Sequence, residues 1–332
     1  MKIREIIEYI NTFANEKYQY PWDNTGLQVG DPDSDITGIL VCLDCLEDVV
    51  DEAIKNNCNL IISHHPMLFS GVKRISDDYK SNLIKKLIRN DITVYSSHTA
   101  FDVCESGMNN YVASALGLKN IRPLDDLSDM KCFFTACVDI ADLPRTEDML
   151  REMNVEYNIF ESGTKAVVDG VTFRSLFGKI SSKLAKISSD ASITSSGISS
   201  TTSPVGLGII GELPEKRPAS ELTWELKKIF ECTTLRASRN YKDKKVKTIA
   251  VCTGSGSDYL KASMRMGADM YICADLKWND FLTCEESGLA AVCPTHFESE
   301  KSFISIMASK LKEFNASLSI LKSKSEDVES FL

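Results

Sequence analysis

The sequence predicts an α/β protein built from two α/β lobes with largely parallel sheets, plus a small α+β insertion. Three observations carry this expectation. Short apolar runs alternate with helically spaced apolar residues early in the chain, the same rhythm returns late, and the stretch between differs in composition and ends in serine-rich sequence. At 332 residues, the chain has the length of two domains, or of one large α/β core carrying an insertion. With 43% apolar and 26% charged residues it is neither disordered nor collagen-like.

The elements follow in order. Ile3, Ile6, Ile7, Ile10 and Phe13 recur at helical spacing and predict an amphipathic helix lying on the core. After a loop at 21–26, the expected order is strand 38–43, helix 46–56, strand 60–63, helix 76–89, strand 93–97 and helix 108–116. Repeated β-α units of this kind build a parallel sheet. Late in the chain, strands are expected near 248–252, 270–273 and 290–293, each followed by a helical stretch. The middle, 131–203, opens on a strand at 132–140, passes through a helix, two short strands and a helix at 174–187, and then becomes serine-rich from 189. It reads as a β-α-β-β-α-β insertion with a linker-like tether. The expected division is therefore 1–130, 131–203 and 204–332.

Composition narrows the function classes. The 38 Lys and Arg against 47 Asp and Glu give a net charge of −9, which opposes general attraction to nucleic acid or to an anionic membrane. The N-terminus has neither signal-peptide nor transmembrane character, so a cytoplasmic protein is expected. Eleven cysteines without a framework of spacings read as reduced thiols. Cys42 and Cys45 form the only Cys-x-x-Cys; without a second pair, they read as buried thiols.

Chemistry concentrates at the histidines. The chain has four, His64, His65, His98 and His296, all at predicted C-terminal ends of strands, the edge where open α/β sheets bind ligands. His64 and His65 can serve one site only if their strand has ended, and Pro66 helps end it. His98 and Asp102 can turn to a common point from one loop. His296 and Glu300 follow Pro294 at i, i+4 spacing, on one face of a helix. Imidazoles and carboxylates together are the ligand set of Zn, Mn or Fe. Asp102 and Glu300 are the natural bridges between two ions, since a carboxylate offers two oxygens. Two glycine-rich stretches differ in promise: Gly206, Gly208 and Gly211 precede Glu212 and Pro214 and do not open a helix, whereas Gly254 and Gly256 lie between a strand and a helix and suit either an anion cradle or a plain turn.

These residues resemble a known family, the dinuclear-metal-centre proteins related to Ngg-one-interacting factor three, also called GTP cyclohydrolase I type 2 homologues. The resemblance is carried by residues 22–30, by Ser63, His64, His65 and Pro66, by Ser97, His98, Thr99 and Asp102, by Gly254, Ser255 and Gly256, and by His296 with Glu300. It implies a ring-shaped homohexamer and two divalent metal ions per chain, held by His64, His65, Asp102, His296 and Glu300. His98 is then a catalytic residue that faces the substrate or supports the ligands. The leading expectation is a metal-dependent hydrolase, GTP cyclohydrolase-like as the family name implies, with a nucleotide or other phosphorylated small molecule held by Trp22, Asn24, Gly254 and Gly256. The alternatives are a metal-binding regulatory or scaffold protein without turnover, and a nucleic-acid-binding ring, which the net charge disfavours. The chain departs from the family at three places: Asn279 stands where a histidine is frequent, Ser106 and Gly107 replace a Gly-Gly pair, and Cys293, Pro294 and Thr295 replace Asp-Ala-Gly.

Overall fold

Ile39, Leu40, Val41, Cys42, Leu60, Ile61 and Ile62 are fully buried, because helices cover both faces of the sheet they form. The computed structural model describes residues 1–125, 131–153, 155–197 and 205–329. Its first sheet contains β1 (Gly26–Val29), β2 (Ile39–Cys42), β3 (Leu60–Ser63), β4 (Thr93–Ser96) and β15 (Ile320–Lys322), in the order β1-β4-β3-β2-β15. All neighbours are parallel except β1 with β4. One face is covered by α1 (Ile3–Phe13) and α12 (Ser302–Phe314) through Ile3, Ile6, Ile10, Phe303, Met307 and Leu311. The other is covered by α2 (Glu47–Lys55) and α3 (Tyr79–Arg89) through Val49, Val50, Ala53, Leu83, Ile84 and Leu87. Helix α3 starts later than the pattern from 76 suggests because Asp78 is its N-cap, accepting the Ser81 N–H at 3.0 Å.

The second sheet contains β5 (Lys119–Pro123), β10 (Ile209–Pro218), β11 (Arg236–Ala237), β12 (Lys245–Ser255), β13 (Met270–Ala274) and β14 (Ala290–Cys293), in the order β11-β14-β13-β12-β10-β5. Its centre, β12-β13-β14, is parallel, and its outer strands are antiparallel. Helices α5 (Met108–Ala115) and α8 (Ala219–Ile229) cover one face through Val112, Leu222 and Leu226; α9 (Leu260–Arg265) and α10 (Trp278–Ser287) cover the other through Leu260 and Cys284. The glycine-rich 206–211 stretch runs into β10, a strand and not a helix opening.

Sheet and sequence segment do not coincide. Strand β5, which follows the first sheet's β4 in the chain, edges the second sheet, and β15, from the far end, edges the first. Met1–Asp125 and Gly206–Leu332 accordingly form one compact unit, and Asp126–Val205 forms another.

The second unit runs β6 (Lys131–Asp139), α6 (Leu143–Glu152), β7 (Glu156–Ser162), β8 (Lys165–Phe173), α7 (Arg174–Ile187) and β9 (Ser192–Gly197). Its sheet is antiparallel in the order β7-β8-β6-β9, with a core that includes Phe134, Val138, Leu150, Val168, Ile180 and Leu184. Ser192–Gly197 falls in the serine-rich stretch read as a tether, yet it pairs with Cys132–Cys137 as an edge strand. Ile193 packs against the core, and alternation of small polar residues about that anchor suits a half-buried strand. Residues 198–204 of that stretch lie outside the described residues. Among the described residues, no helix is long and apolar enough to cross a membrane.

Candidate metal centre

Both sheets of the first unit deliver side chains from the C-terminal ends of their parallel strands. Asp44 follows β2, His64 and His65 follow β3, and Ser97 and His98 follow β4, leading into the short helix α4 (Thr99–Asp102). From the second sheet come Gly254 near the end of β12, Asp275 after β13, and helix α11 (His296–Glu300) after β14. The backbone N–H groups of His64 and His65 both donate to Leu43 O, at 3.1 and 3.0 Å, so β3 has ended and both rings can turn one way. Their centroids lie 4.9 Å apart. Helix α11 begins with a capping box: Thr295 Oγ1 accepts the Glu298 N–H at 3.1 Å, and Glu298 Oε2 accepts the Thr295 N–H at 3.0 Å. One turn later, Glu300 Oε2 stands 3.0 Å from His296 Nε2.

The four imidazoles share one arrangement. Each is held at Nδ1: His64 by the Ser97 carbonyl at 3.0 Å, His65 by Asp44 at 2.9 Å, His98 by Asp23 at 2.7 Å and His296 by Asp275 at 2.7 Å. With Nδ1 occupied, Nε2 is the nitrogen left to a ligand. His65 Nε2 lies 3.0 Å from Glu300 Oε2, and His64 Nε2 lies 3.7 Å from both Asp102 Oδ1 and Glu300 Oε1. One ligand atom each from His64, His65 and His98 falls within a mutual 4.8 Å, and the same holds for His65, His296 and Glu300. The structure thus brings all five residues expected as ligands to one place, with His98 beside them. His98 has the same kind of carboxylate anchor as His65 and His296.

Burial sets the electrostatics. His64, Asp102 and Glu300 are buried; His64 Nε2 and Asp102 Oδ1 have no hydrogen-bond partner, and Glu300 Oε2 faces the Nε2 atoms of His65 and His296. Orphaned buried polar atoms are costly, and two of them 3.7 Å apart beside the buried Glu300 carboxylate call for a ligand. Burial pulls His64 down to about 4. Burial also lowers His65 and His296, but hydrogen bonds to Asp44 and Glu300 push His65 up to about 10, and hydrogen bonds to Asp275 and Glu300 push His296 up to about 11. Burial and the neighbouring Glu300 drive Asp102 well above the usual carboxylate range, whereas His64, His296 and His65 outweigh burial and hold Glu300 well below it. Neutral imidazole is the metal-binding form, so a cation taking the Nε2 atoms of His65 and His296 would replace a proton there. The donor set fits a divalent metal.

The expected substrate residues divide. Gly254, at φ +69°, has no room for a side chain, because an added Cβ would lie 2.0 Å from Glu300 Oε1. Gly256 instead packs into the core, where a Cβ would meet the Tyr271 hydroxyl at 2.6 Å and Cys252 Cβ at 2.7 Å. Asn24 ties two loops together by donating to Leu68 O at 2.7 Å. Trp22 is 53% exposed, its ring centroid 5.9 Å from that of His98. Asn279 is exposed on α10.

Sequence reading does not single out Asp23, Asp44 or Asp275, since single acids among 47 carry no spacing signal. A position just past a parallel strand is the signal that finds Asp44 and Asp275. Asp275 also has φ +60°, a conformation in which aspartate is several-fold enriched.

Two sheets converging on four anchored imidazoles and two buried carboxylates define an α/β protein with a candidate metal centre and an inserted second unit. The chain belongs to the Duf34/NIF3 (NGG1p interacting factor 3) family, which it matches over residues 1–327. A Staphylococcus epidermidis protein named GTP cyclohydrolase 1 type 2 homolog is 32% identical over 328 residues, covering 90% of this chain and 89% of that one. A Staphylococcus aureus protein of the same name is 27% identical over 334 residues, with the same coverage. Among solved structures, a Bacillus cereus protein related to NIF3 superposes with a TM-score of 0.74 at 25% identity, covering 100% of this chain and 99% of that one. Reduced HcgD from Methanocaldococcus jannaschii shares the fold, with a TM-score of 0.65 at 24% identity over 98% of each chain.

Proposed function

We propose that this protein is a metal-dependent hydrolase with a dinuclear centre, acting on a nucleotide or another phosphorylated small molecule. The observation that carries this reading is the set of four imidazoles anchored at Nδ1 around the buried Asp102 and Glu300, with His64 Nε2 and Asp102 Oδ1 left without a hydrogen bond. His64, His65, Asp102, His296 and Glu300 would hold two divalent ions of the Zn, Mn or Fe kind. Asp102 and Glu300, each 3.7 Å from His64 Nε2, would supply the carboxylate ligands. Bound there, such ions supply Lewis acidity and a water acidic enough to attack near neutral pH.

The chain's own part is orientation and proton handling. Asp44 and Asp275 fix the rings of His65 and His296, and Asp23 fixes that of His98. His98, with its side chain 15% exposed, sits where it can exchange a proton with a bound substrate. Trp22 beside it supplies an apolar wall. The name of the staphylococcal relatives accords with a nucleotide substrate. Family resemblance supports a homohexamer, and the eleven free cysteines support a reducing, cytoplasmic setting.

Elemental analysis after dialysis against dilute chelator tests the centre: wild type should hold about two ions per chain and Asp102→Asn close to none. A turnover screen of metal-loaded protein against nucleotides and phosphate esters tests the chemistry, and any activity should vanish in Asp102→Asn. Full metal occupancy without turnover of any substrate would favour the regulatory reading.

A further inference from the structure

The segment between the histidine pair and α3 is anchored at both ends and unsupported between them. At its start, Lys80 Nζ donates to Met67 O at 2.7 Å, Leu68 N–H donates to Gln28 Oε1 at 3.1 Å, and Leu68 O accepts from Asn24. At its end, Ser76 N–H donates to Ser81 Oγ at 3.0 Å, and Ser76 O accepts from Lys85. Residues 69–75 are exposed throughout, and none of them makes a hydrogen bond or ion pair with another of the described residues.

Its composition does not suit an idle loop. Phe69, Val72 and Ile75 are 53%, 43% and 56% exposed. Among the described residues Lys73 and Arg74 have no hydrogen-bond or ion-pair partner, although the segment follows in sequence from a centre lined by Asp23, Asp44, Asp102, Asp275 and Glu300. Cations left without a protein partner there are available to an anion brought in from outside. Phe69 is already in place: its ring centroid lies 6.2 Å from Trp22 and 6.4 Å from His98. Trp22 and Phe69 thus form one half-exposed aromatic wall against His98. Lys73 is four residues from Phe69, a span of at most about 14 Å of extended chain, so its ammonium can reach a group attached to a ring stacked on that wall. Gly71, with nothing within 4 Å of where a Cβ would be, gives the segment an unobstructed point of bending.

We propose that residues 69–75 form a strap that closes over the substrate, with Phe69 and Trp22 stacking on its planar ring and Lys73 and Arg74 binding its phosphate. The proposal rests on the hydrolase reading and assigns the recognition of the substrate to residues outside the metal ligands. Aromatic wall and cations recognise different parts of one molecule, so each part alone should bind more weakly than the whole.

Trypsin cleaves after Lys73 and Arg74, so it reports directly on the strap. The full-length, metal-loaded protein is digested with GTP, guanosine or tripolyphosphate present; cleavage at these two bonds is followed by mass spectrometry, and metal content is checked after each incubation. GTP should slow cleavage at least tenfold, and guanosine and tripolyphosphate each by less. By calorimetry, Phe69→Ala should weaken GTP and guanosine binding at least tenfold, and the Lys73→Ala/Arg74→Ala double variant should do so for GTP and tripolyphosphate, both with wild-type metal content. If no probe slows cleavage, or both variants bind GTP as wild type does, the strap is wrong. Metal-dependent turnover with unchanged KM in both variants also overturns the strap and leaves the hydrolase reading standing. Protection and binding without turnover of any phosphate ester support the strap and overturn the hydrolase reading.

Discussion

Gly254 shows how little room the carboxylates leave. Its φ of +69° is already unfavourable for any other residue, and a Cβ there would sit 2.0 Å from Glu300 Oε1. Gly254→Ala should therefore displace Glu300 and lower metal affinity at least tenfold without removing a ligand. Gly178→Ala, in α7 with nothing within 4 Å of the added carbon, is the control and should leave metal content unchanged. Calorimetric titration with Zn²⁺ or Mn²⁺ checks both, and wild-type affinity in Gly254→Ala would mean that Glu300 is not a ligand. At this scale the sequence was legible where residue types cluster: the histidine pair, His98 with Asp102, and His296 with Glu300 all meet. It was not legible where one side chain supports another across the fold. Asp23 reaches His98 and Asp275 reaches His296 from 75 and 21 positions away, and neither pair has a local spacing to betray it.

Helix α11 depends on its cap more than a long helix would. It is five residues long, and two of those, His296 and Glu300, belong to the candidate centre. Thr295 Oγ1 caps it by accepting from Glu298 N–H and also donates to Asp327 at 2.7 Å. Thr295→Ala should cost about 1 kcal/mol, the usual loss of an N-cap. Because few other bonds hold so short a helix, that loss should appear as several-fold weaker metal binding, whereas Thr295→Ser should restore the wild-type value. Thermal melts with and without metal check this; equal metal-induced stabilisation in Thr295→Ala and wild type would show that the cap does not position the ligands. Elements were legible from periodicity where one face is apolar, as in α1, and from continuous apolar runs where both faces are covered, as in β2 and β3. Ser192–Gly197 escaped because its composition is that of a linker and only tertiary pairing with β6 makes it a strand.

The whole molecule joins two sheets by exchanging edge strands, and the Asp126–Val205 unit is inserted in the chain between β5 and β10. That topology was not legible, since β5 and β15 are short strands whose partners lie 86 or more positions away, beyond any local pattern. It has a consequence for excision. Pro123 pairs with Ile209 in the β5-β10 ladder, and Leu124 N–H donates to Gly208 O at 3.1 Å, so the two ends of the cut are already held side by side. Joining Asp125 to Gly206 through about three Gly or Ser residues closes a short loop between strands that are paired without it, at little entropic cost. None of the residues expected to hold metal lies in the excised segment. The shortened chain should therefore fold, with metal content and affinity within about twofold of wild type, by elemental analysis and calorimetry. If the hexamer is built by the first unit alone, light scattering at micromolar concentration should give six chains for both proteins. A folded excision variant that has lost its metal would sink the independence of the two units. Six chains in wild type but one after excision would assign the assembly contacts to the inserted unit, and a single chain in both would overturn the proposed hexamer.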